Sequence, residues 1–346
     1  MKKAIVVLAV LLMAATAVSA ATPTFTDFQS AFTDVANGVS SSLALESSVG
    51  LSWSDAWVGQ LVDVPPHFGF GITVGAAMIP YASIQNALTT FSGAIPSSVG
   101  FMSSIGVPLP TYTVDVRIGG FVLPFDMGFK FGWMPSNGLS SIGVSGISVD
   151  YLSLGGDIRL GIIQDRGFLP GLSLGVGYTY MRGNVDVPGV FSGNIHIATY
   201  NYNGQPYDLQ FTNPSLNFNW SSSVIDAKIQ LSKKLLFITP YAGMGVSYGF
   251  SNAGGGMASQ MQVSTDGGAN YHNATQSEID NINTATGSSY TLQNTSFGVT
   301  QSTNGFSVRA FGGFSLDFFA VRLGFGAAYE LLTGSMAGMA NLRFQL

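Results

Sequence analysis

Apolar residues in this chain alternate with a period of two over long stretches, and the positions between them hold mostly glycine and serine. From His67 to Ile79 the even positions read Phe68, Phe70, Ile72, Val74, Ala76, Met78, and the odd ones His67, Gly69, Gly71, Thr73, Gly75, Ala77. Leu172, Leu174, Val176, Tyr178 and Tyr180 alternate in the same way with Ser173, Gly175, Gly177 and Thr179. Leu236, Ile238, Ala242, Met244, Val246, Tyr248 and Phe250 repeat the pattern. This periodicity specifies β-strands with one apolar face. In a water-soluble sandwich the other face carries polar residues that meet solvent. Here only 9% of the 346 residues are charged and 44 are glycine, against roughly 25% charged and about 7% glycine in soluble domains. A closed membrane barrel accounts for both faces, because lipid solvates the apolar one and the lumen takes the small and polar one. With 46% hydrophobic residues the chain is too apolar for disorder. The absence of cysteine removes disulfides, thiolate metal sites and cysteine nucleophiles.

Ten strands are predicted, at about 67–79, 112–119, 123–134, 145–163, 170–182, 216–232, 235–250, 304–318, 319–333 and 337–346. A further hairpin over 193–213, carrying Ile195, Ile197, Tyr200, Tyr202 and Phe211, would make twelve. The fold class is thus all-β: a closed antiparallel transmembrane β-barrel of 10–12 strands, with 14 as the upper bound, behind a short helical N-terminal segment. Connections sort by length, as they do in outer-membrane barrels. Gly119-Gly120, Asp165-Arg166-Gly167, Lys233-Lys234 and Phe318-Phe319 mark short turns. The alternate connections, 81–111, 135–144, 183–215 and 251–303, are long, and only 334–336 is short. Aromatics on the apolar face gather near the long-loop ends, at Trp133, Tyr178, Tyr180, Trp220, Tyr248 and Tyr329, as an interface girdle would.

These features resemble the bacterial outer-membrane β-barrel (porin-like) class over 67–346. The last strand, Ala340 to Leu346, looks like that class's C-terminal insertion signal, although it ends in leucine and places Phe344 two residues earlier. The resemblance implies outer-membrane lipid as surroundings and the barrel-assembly machinery as a partner through Leu342, Phe344 and Leu346. At the other end, Lys2 and Lys3, the apolar run Ala4–Met13 and Val18-Ser19-Ala20 have the order of a cleaved secretory signal peptide over 1–20. Its removal leaves 11 basic and 18 acidic side chains, a formal charge of −7.

Charges recur on the small-residue face. Asp115 and Arg117, Asp157 and Arg159, and Asp226 and Lys228 are each two apart, so the members of each pair share a face. Asp126, Lys130, Asp150, Arg309, Asp317, Arg322, Glu330 and Arg343 add to them. On the lipid side an Arg or Lys would cost about 2–4 kcal/mol at the midplane, so a wet or internally paired lumen is expected. Two readings stay open: a closed salt-bridged interior, or an aqueous constriction that sets ion preference.

Segment 21–66 is a different material. Phe25, Phe28, Phe32 and Val35 have helical spacing, and Trp53 and Trp57 within 52–61 suggest a second helix. Asp27, Asp34, Glu46, Asp55 and Asp63 lie here with no Lys or Arg. A plug in the lumen, an interfacial segment and a mobile tail all fit. A plug before the first strand resembles the long-chain fatty-acid transporter family, in which an N-terminal hatch occludes a barrel of usually fourteen strands and hydrophobic substrates leave sideways. The expected function is a porin-like channel or transporter for small or hydrophobic solutes. The alternative is a non-transporting surface barrel whose loops 183–215 and 251–303 meet host or matrix ligands. Catalysis is not expected: His67, His196 and His272 have no metal spacing, and no nucleophile elbow or phosphate-binding loop occurs. No cofactor or metal is implied, and the acidic balance speaks against nucleic acid.

Overall fold

The computed structural model describes residues 25–58, 67–83, 85, 106–119, 124–134, 136, 148–188, 193–286, 291–293 and 296–346. The leader expected at 1–20 lies outside them, as do the distal part of 52–61 and most of loops 81–111 and 135–144. Helix α1 (Phe25–Glu46) is followed by β1 (His67–Ile79), β2 (Val107–Gly119), β3 (Phe125–Met134), β4 (Ser148–Ile163) and β5 (Gly171–Val187). Next come β6 (Asn194–Tyr202), β7 (Gln205–Thr212), β8 (Ser215–Ser232) and β9 (Ile238–Ala258). After β10 (Met261–Ser264), β11 (His272–Asn273), α2 (Gln276–Thr286) and β12 (Thr291–Gln293), the chain ends with β13 (Ser296–Phe318), β14 (Val321–Glu330) and β15 (Met336–Gln345).

Ten strands close into a ring in the order β1-β2-β3-β4-β5-β8-β9-β13-β14-β15, with β15 pairing back onto β1 from Gly69↔Gln345 to Ala77↔Ala337. All neighbours are antiparallel. Phe68 and Leu346 exchange both backbone hydrogen bonds, so the wall begins and ends at the tight-turn end. The expected extra hairpin forms, as β6 and β7, but it does not enter the wall. Strands β5 and β8 pair directly from Gly171↔Ser232 to Val187↔Leu216, which leaves no gap in the ladder. The hairpin instead builds a separate sheet, β11-β10-β7-β6, at the long-loop end. The wall therefore has ten strands, not twelve or fourteen.

Strands β9 and β13 run 21 and 23 residues, about twice the 9–11 that cross a bilayer. Their outer parts, Ser251–Ala258 and Ser296–Thr303, pair with each other beyond the apolar band. They are rich in Gly, Ser, Ala and Thr, so they lack the apolar alternation that marks strands in lipid. The wall's outward register is apolar and uncovered: Phe70, Ile72, Phe129, Ile158, Leu174, Val176, Ile229, Met244 and Leu342 are all exposed. The buried core lies inside the ring. Phe32, Val35, Ala36, Val39 and Leu43 of α1 pack with Leu109, Met181, Val185, Leu216 and Met257 of the wall and with Leu209, Phe211, Met261, Val263, Ile279 and Ile282 of the outer sheet and α2.

Candidate functional site

The interior has two tiers. At the long-loop end it is apolar and filled by α1, with Phe32 5.6 Å from the Phe218 ring. Below the end of α1 the chain continues without a second helix: Leu51–Val58 is irregular, contrary to the sequence expectation over 52–61. Side chains reach the backbone of this segment from all round the wall, and those hydrogen bonds replace the ones a helix would make internally. Lys130 Nζ donates to the carbonyls of Ser47 and Val49, both at 2.6 Å. Arg117 Nη2 and Lys228 Nζ each donate to Leu51 O at 3.3 Å. Gln230 Nε2 meets the carbonyls of Trp53, Ser54 and Asp55 at 2.8–3.1 Å. Val58 N donates to Asp126 Oδ2 at 2.5 Å.

Trp53 is buried in the lumen, with Arg117 and Arg343 5.6 and 4.9 Å from its ring, so it is no interfacial anchor. Glycines of the inward register make the room. A side chain at Gly69 would overlap the Trp53 ring, and one at Gly75 would come within 2.8 Å of Val49. The glycine face admits protein, not only water.

Asp115, Arg117, Asp126, Lys130, Asp157, Arg159, Lys228 and Arg309 are buried on the inward register, and Asp226 is partly buried there. Their ion pairs run between strands rather than along them. Arg117 bridges Asp126 and, at 2.6 Å, Asp157. Arg159 meets Asp126 at 2.7 Å, Lys228 meets Asp157 at 2.8 Å, and Arg309 pairs with Asp226. Asp115 faces Lys130 in the ladder yet takes its hydrogen bonds from Thr73 and, at 2.7 Å, Thr113. Towards the turns, Asp55 takes Arg322 on Oδ1 at 2.5 Å and Arg343 on Oδ2 at 3.0 Å. Arg159 Nη1 also donates to the Asp55 carbonyl at 2.7 Å.

Two sequence assignments need correction. Trp220 is on the inward register and 7% exposed, packed in the apolar tier, so it leaves the interface girdle. Asp150 has outward parity, beyond the membrane-facing part of β4. Glu330 keeps the expected inward register, opposite Arg309, and there caps the β14–β15 turn, accepting from the amides of Val308 and Leu332 at 3.0 Å and from Thr333. Trp133, Tyr178, Tyr248 and Tyr329 are exposed on the outward register, with Tyr180 half-exposed beside them. The sequence marks Trp53 and Asp55 only as members of segment 21–66, not as lumen groups, and does not single out Gln230. The available signal was that Arg322 and Arg343 outnumber Asp317 near the turn end, while the acidic segment 21–66 carries no base.

A second feature lies in the wall. Among the described residues the β2–β3 register ends at Val114↔Phe131, while the β2 register with β1 runs on to Val107. Pro108 and Pro110 occupy this stretch and have no N–H to offer a neighbour, as expected of an edge. An apolar cavity of about 350 Å3 sits there. Tyr151, Trp220 and Val185 line it from the inward register, and Val74, Tyr112 and Ala340 from the outward one.

No protein-family model matches the chain, and no curated protein does. Solved structures similar to it include the outer-membrane protease OmpT of Escherichia coli, at 8% identity and a TM-score of 0.32, over 81% of this chain and 96% of that one. The translocator domain of the autotransporter NalP from Neisseria meningitidis gives 9% identity and a TM-score of 0.30, over 81% and 87%. The Pseudomonas putida toluene transporter TodX gives 9% identity and 0.25, over 82% and 89%. Similarity at this level carries no functional argument. What decides the class is the wall itself: a ring of ten strands closed by β15 on β1, with exposed apolar residues outside and paired charges inside, the arrangement by which strands meet their backbone hydrogen-bonding needs in lipid. The protein is an outer-membrane β-barrel. By the rule for such barrels, the tight-turn end is termed periplasmic and the long-loop end extracellular.

Outside the membrane, Asp208 gathers the extracellular sheet: His196 Nε2 and Thr199 Oγ1 meet Oδ1, and Tyr271 Oη donates to Oδ2 at 2.5 Å. Partial burial opposes its ionisation, but these donors outweigh it and hold the carboxyl below its usual range. Burial and the bond to Asp208 push the Tyr271 hydroxyl up to about 12. Glu278, taking His272 at 2.9 Å and the Thr275 amide and hydroxyl, is likewise held low against its burial. Among the described residues no group of three or more His, Asp or Glu is placed to hold a metal ion.

Proposed function

We propose that this barrel carries small hydrophobic solutes across the outer membrane through its wall, with residues 25–58 acting as a plug of the axial path. The observation that carries this reading is the apolar cavity beside the outer part of β2, which draws its lining from both registers of the wall. An apolar solute leaves water on entering it, whereas a polar one loses its hydration without replacement. The proline pair supports the same reading, because an edge without donors resists being zipped to β3. An open aqueous pore is less well supported. The inward cations Arg117, Lys130, Arg159, Lys228, Arg309, Arg322 and Arg343 are all engaged by carboxylates or by carbonyls of the inner segment.

Ser54 Oγ and Ser315 Oγ lie 2.8 Å apart, and the chain has no cysteine. Ser54→Cys with Ser315→Cys therefore ties the inner segment to β13 under oxidation. The oxidised protein in liposomes is expected to keep delivering a hydrophobic fluorescent probe, with negligible ion conductance in planar bilayers. Pro108→Val with Pro110→Val, which restores two donors, is expected to slow delivery several-fold. Delivery that stops on oxidation and returns on reduction would mean the solute passes through the lumen and would sink the lateral route. Steady conductance of the oxidised protein would restore the porin reading. A display role is favoured by one separate observation, the buried core of the extracellular sheet around Leu209, Phe211 and Val263. It predicts saturable binding of the intact barrel to host or matrix protein, lost on cleavage within 251–303.

A further inference from the structure

At the periplasmic end three consecutive turns, β4–β5, β8–β9 and β13–β14, span six neighbouring strands of the ring. Their tips are apolar and point into open space. Phe168 is fully exposed, Leu236 is 90% exposed and Phe319 is 88% exposed, with Leu169, Leu235 and Phe237 also uncovered. Leu236 and Phe319 take φ of 49° and 57°, a conformation that Gly or Asn would adopt at less cost. Placing bulky apolar side chains there costs both strain and exposure, unless something other than water meets them.

The cations point the same way. Of the basic residues outside the lumen and leader, Arg166, Lys233 and Lys234 all stand on two of these turns, leaving only Arg182 elsewhere. Lys233 Nζ pairs with Asp165 and donates to the carbonyls of Gly167 and Leu169 at 2.6 and 3.1 Å, while the Lys234 amide donates to Asp165 Oδ2 at 2.6 Å. The two turns are thus one tied unit, which consumes the charge of Asp165. Arg166 and Lys234 remain exposed. Between this unit and the inner segment lies a polar recess of about 700 Å3, whose lining includes Arg166, Lys233, Lys234 and Arg322 with Asp55 and Asp165. Asp55 is already neutralised by Arg322 and Arg343, so the recess keeps a cationic surplus.

We propose that this rim is a binding site for anionic phospholipid of the periplasmic leaflet. The headgroup phosphate enters the recess against Arg166 and Lys234, and the acyl chains lie along Phe168, Leu169, Leu236 and Phe237. The apolar residues are spread over separate turn tips and form no groove, which suits a fluid lipid surface better than a shaped protein. They also continue the lipid-facing register of Ile158, Leu160 and Ile162.

Native mass spectrometry of the intact barrel in neutral detergent tests this, with dioleoyl phosphatidylglycerol, dioleoyl phosphatidylcholine and inorganic phosphate as probes. The wild-type protein is expected to retain phosphatidylglycerol in preference to phosphatidylcholine. Arg166→Ser with Lys234→Ser, which spares the Lys233–Asp165 tie, should weaken phosphatidylglycerol retention about thirty-fold, from roughly 1 kcal/mol per cation. Phe168→Ser with Leu236→Ser should weaken retention of both lipids. Equal retention of the two lipids by the wild type would overturn the proposal without recourse to any variant and leave the rim to a soluble partner. Displacement by inorganic phosphate, with no dependence on acyl-chain length, would overturn it in favour of a free-anion site.

Discussion

Asp55 sits where two cations of the last hairpin need a counter-ion: one carboxyl oxygen takes Arg322, the other takes Arg343, and its carbonyl takes Arg159. Removing one partner of a buried ion pair strands the other, at a cost of about 3–5 kcal/mol. Asp55→Asn is expected to lower the barrel's stability by that order in urea unfolding from lipid vesicles, and to produce intermittent conductance as the inner segment loosens. A variant as stable as the wild type would mean that water, not Asp55, solvates the two guanidinium groups. Glu46 behaves oppositely. It is 1% exposed and neither carboxyl oxygen has a hydrogen-bond partner among the described residues, so Glu46→Gln in the same assay should leave stability unchanged or raised. The wall charges were legible in sequence because the period of two fixes which face a strand residue takes. Their partners were not, since cross-strand pairing depends on register, and the inner segment's acids depend on a descent through the lumen that no local pattern encodes.

Among the elements, the wall strands that meet lipid were read to within a few residues, because lipid enforces an apolar outward face. Reading failed where that demand stops. The outer parts of β9 and β13 and the proline-bearing start of β2 look like loop, yet they are held in ladders by their neighbours. The β6–β7 hairpin shows the converse: its alternation is genuine, but its apolar side chains Leu209 and Phe211 serve the extracellular core. That sheet should have an acid limit of its own. Asp208 and Glu278 are held below their ordinary ranges, so their stabilising contribution is complete above the unfolded carboxylate range near pH 4 and lost as pH falls through the depressed values. Hydrogen exchange across β6, β7 and α2 is expected to be slow at pH 7 and, after correction for intrinsic rates, markedly less protected near pH 3, while the lipid-facing strands stay protected. Asp208→Asn should remove most of the difference between the two conditions. An unchanged difference would assign the sensitivity to other carboxyls.

Taken whole, the molecule is traversed from outside inwards before its wall begins. Phe32 lies against Gly255 in the extracellular extension of β9, Ala44 near Gly249, Val49 near Gly75, and Trp57 against Gly161 beside the periplasmic turn. The Phe25 end of α1 therefore faces the extracellular side. Since the chain has no thiol of its own, Asp27→Cys should be labelled by a membrane-impermeant maleimide on intact cells, whereas Lys234→Cys should react only after the outer membrane is breached. The reverse pattern would invert the barrel. This path also dictates an order of construction. The ring closes where β15 meets β1, and residues 25–58 precede β1 in sequence yet lie within the ring. They cannot easily be drawn in afterwards through a lower tier whose cations are already taken, so the sheet must wind around them. The inner segment then serves as a mandrel: its carbonyls and Asp55 supply the counter-groups that let Arg117, Lys130, Arg159, Arg322 and Arg343 turn inward while the last hairpin is being laid down.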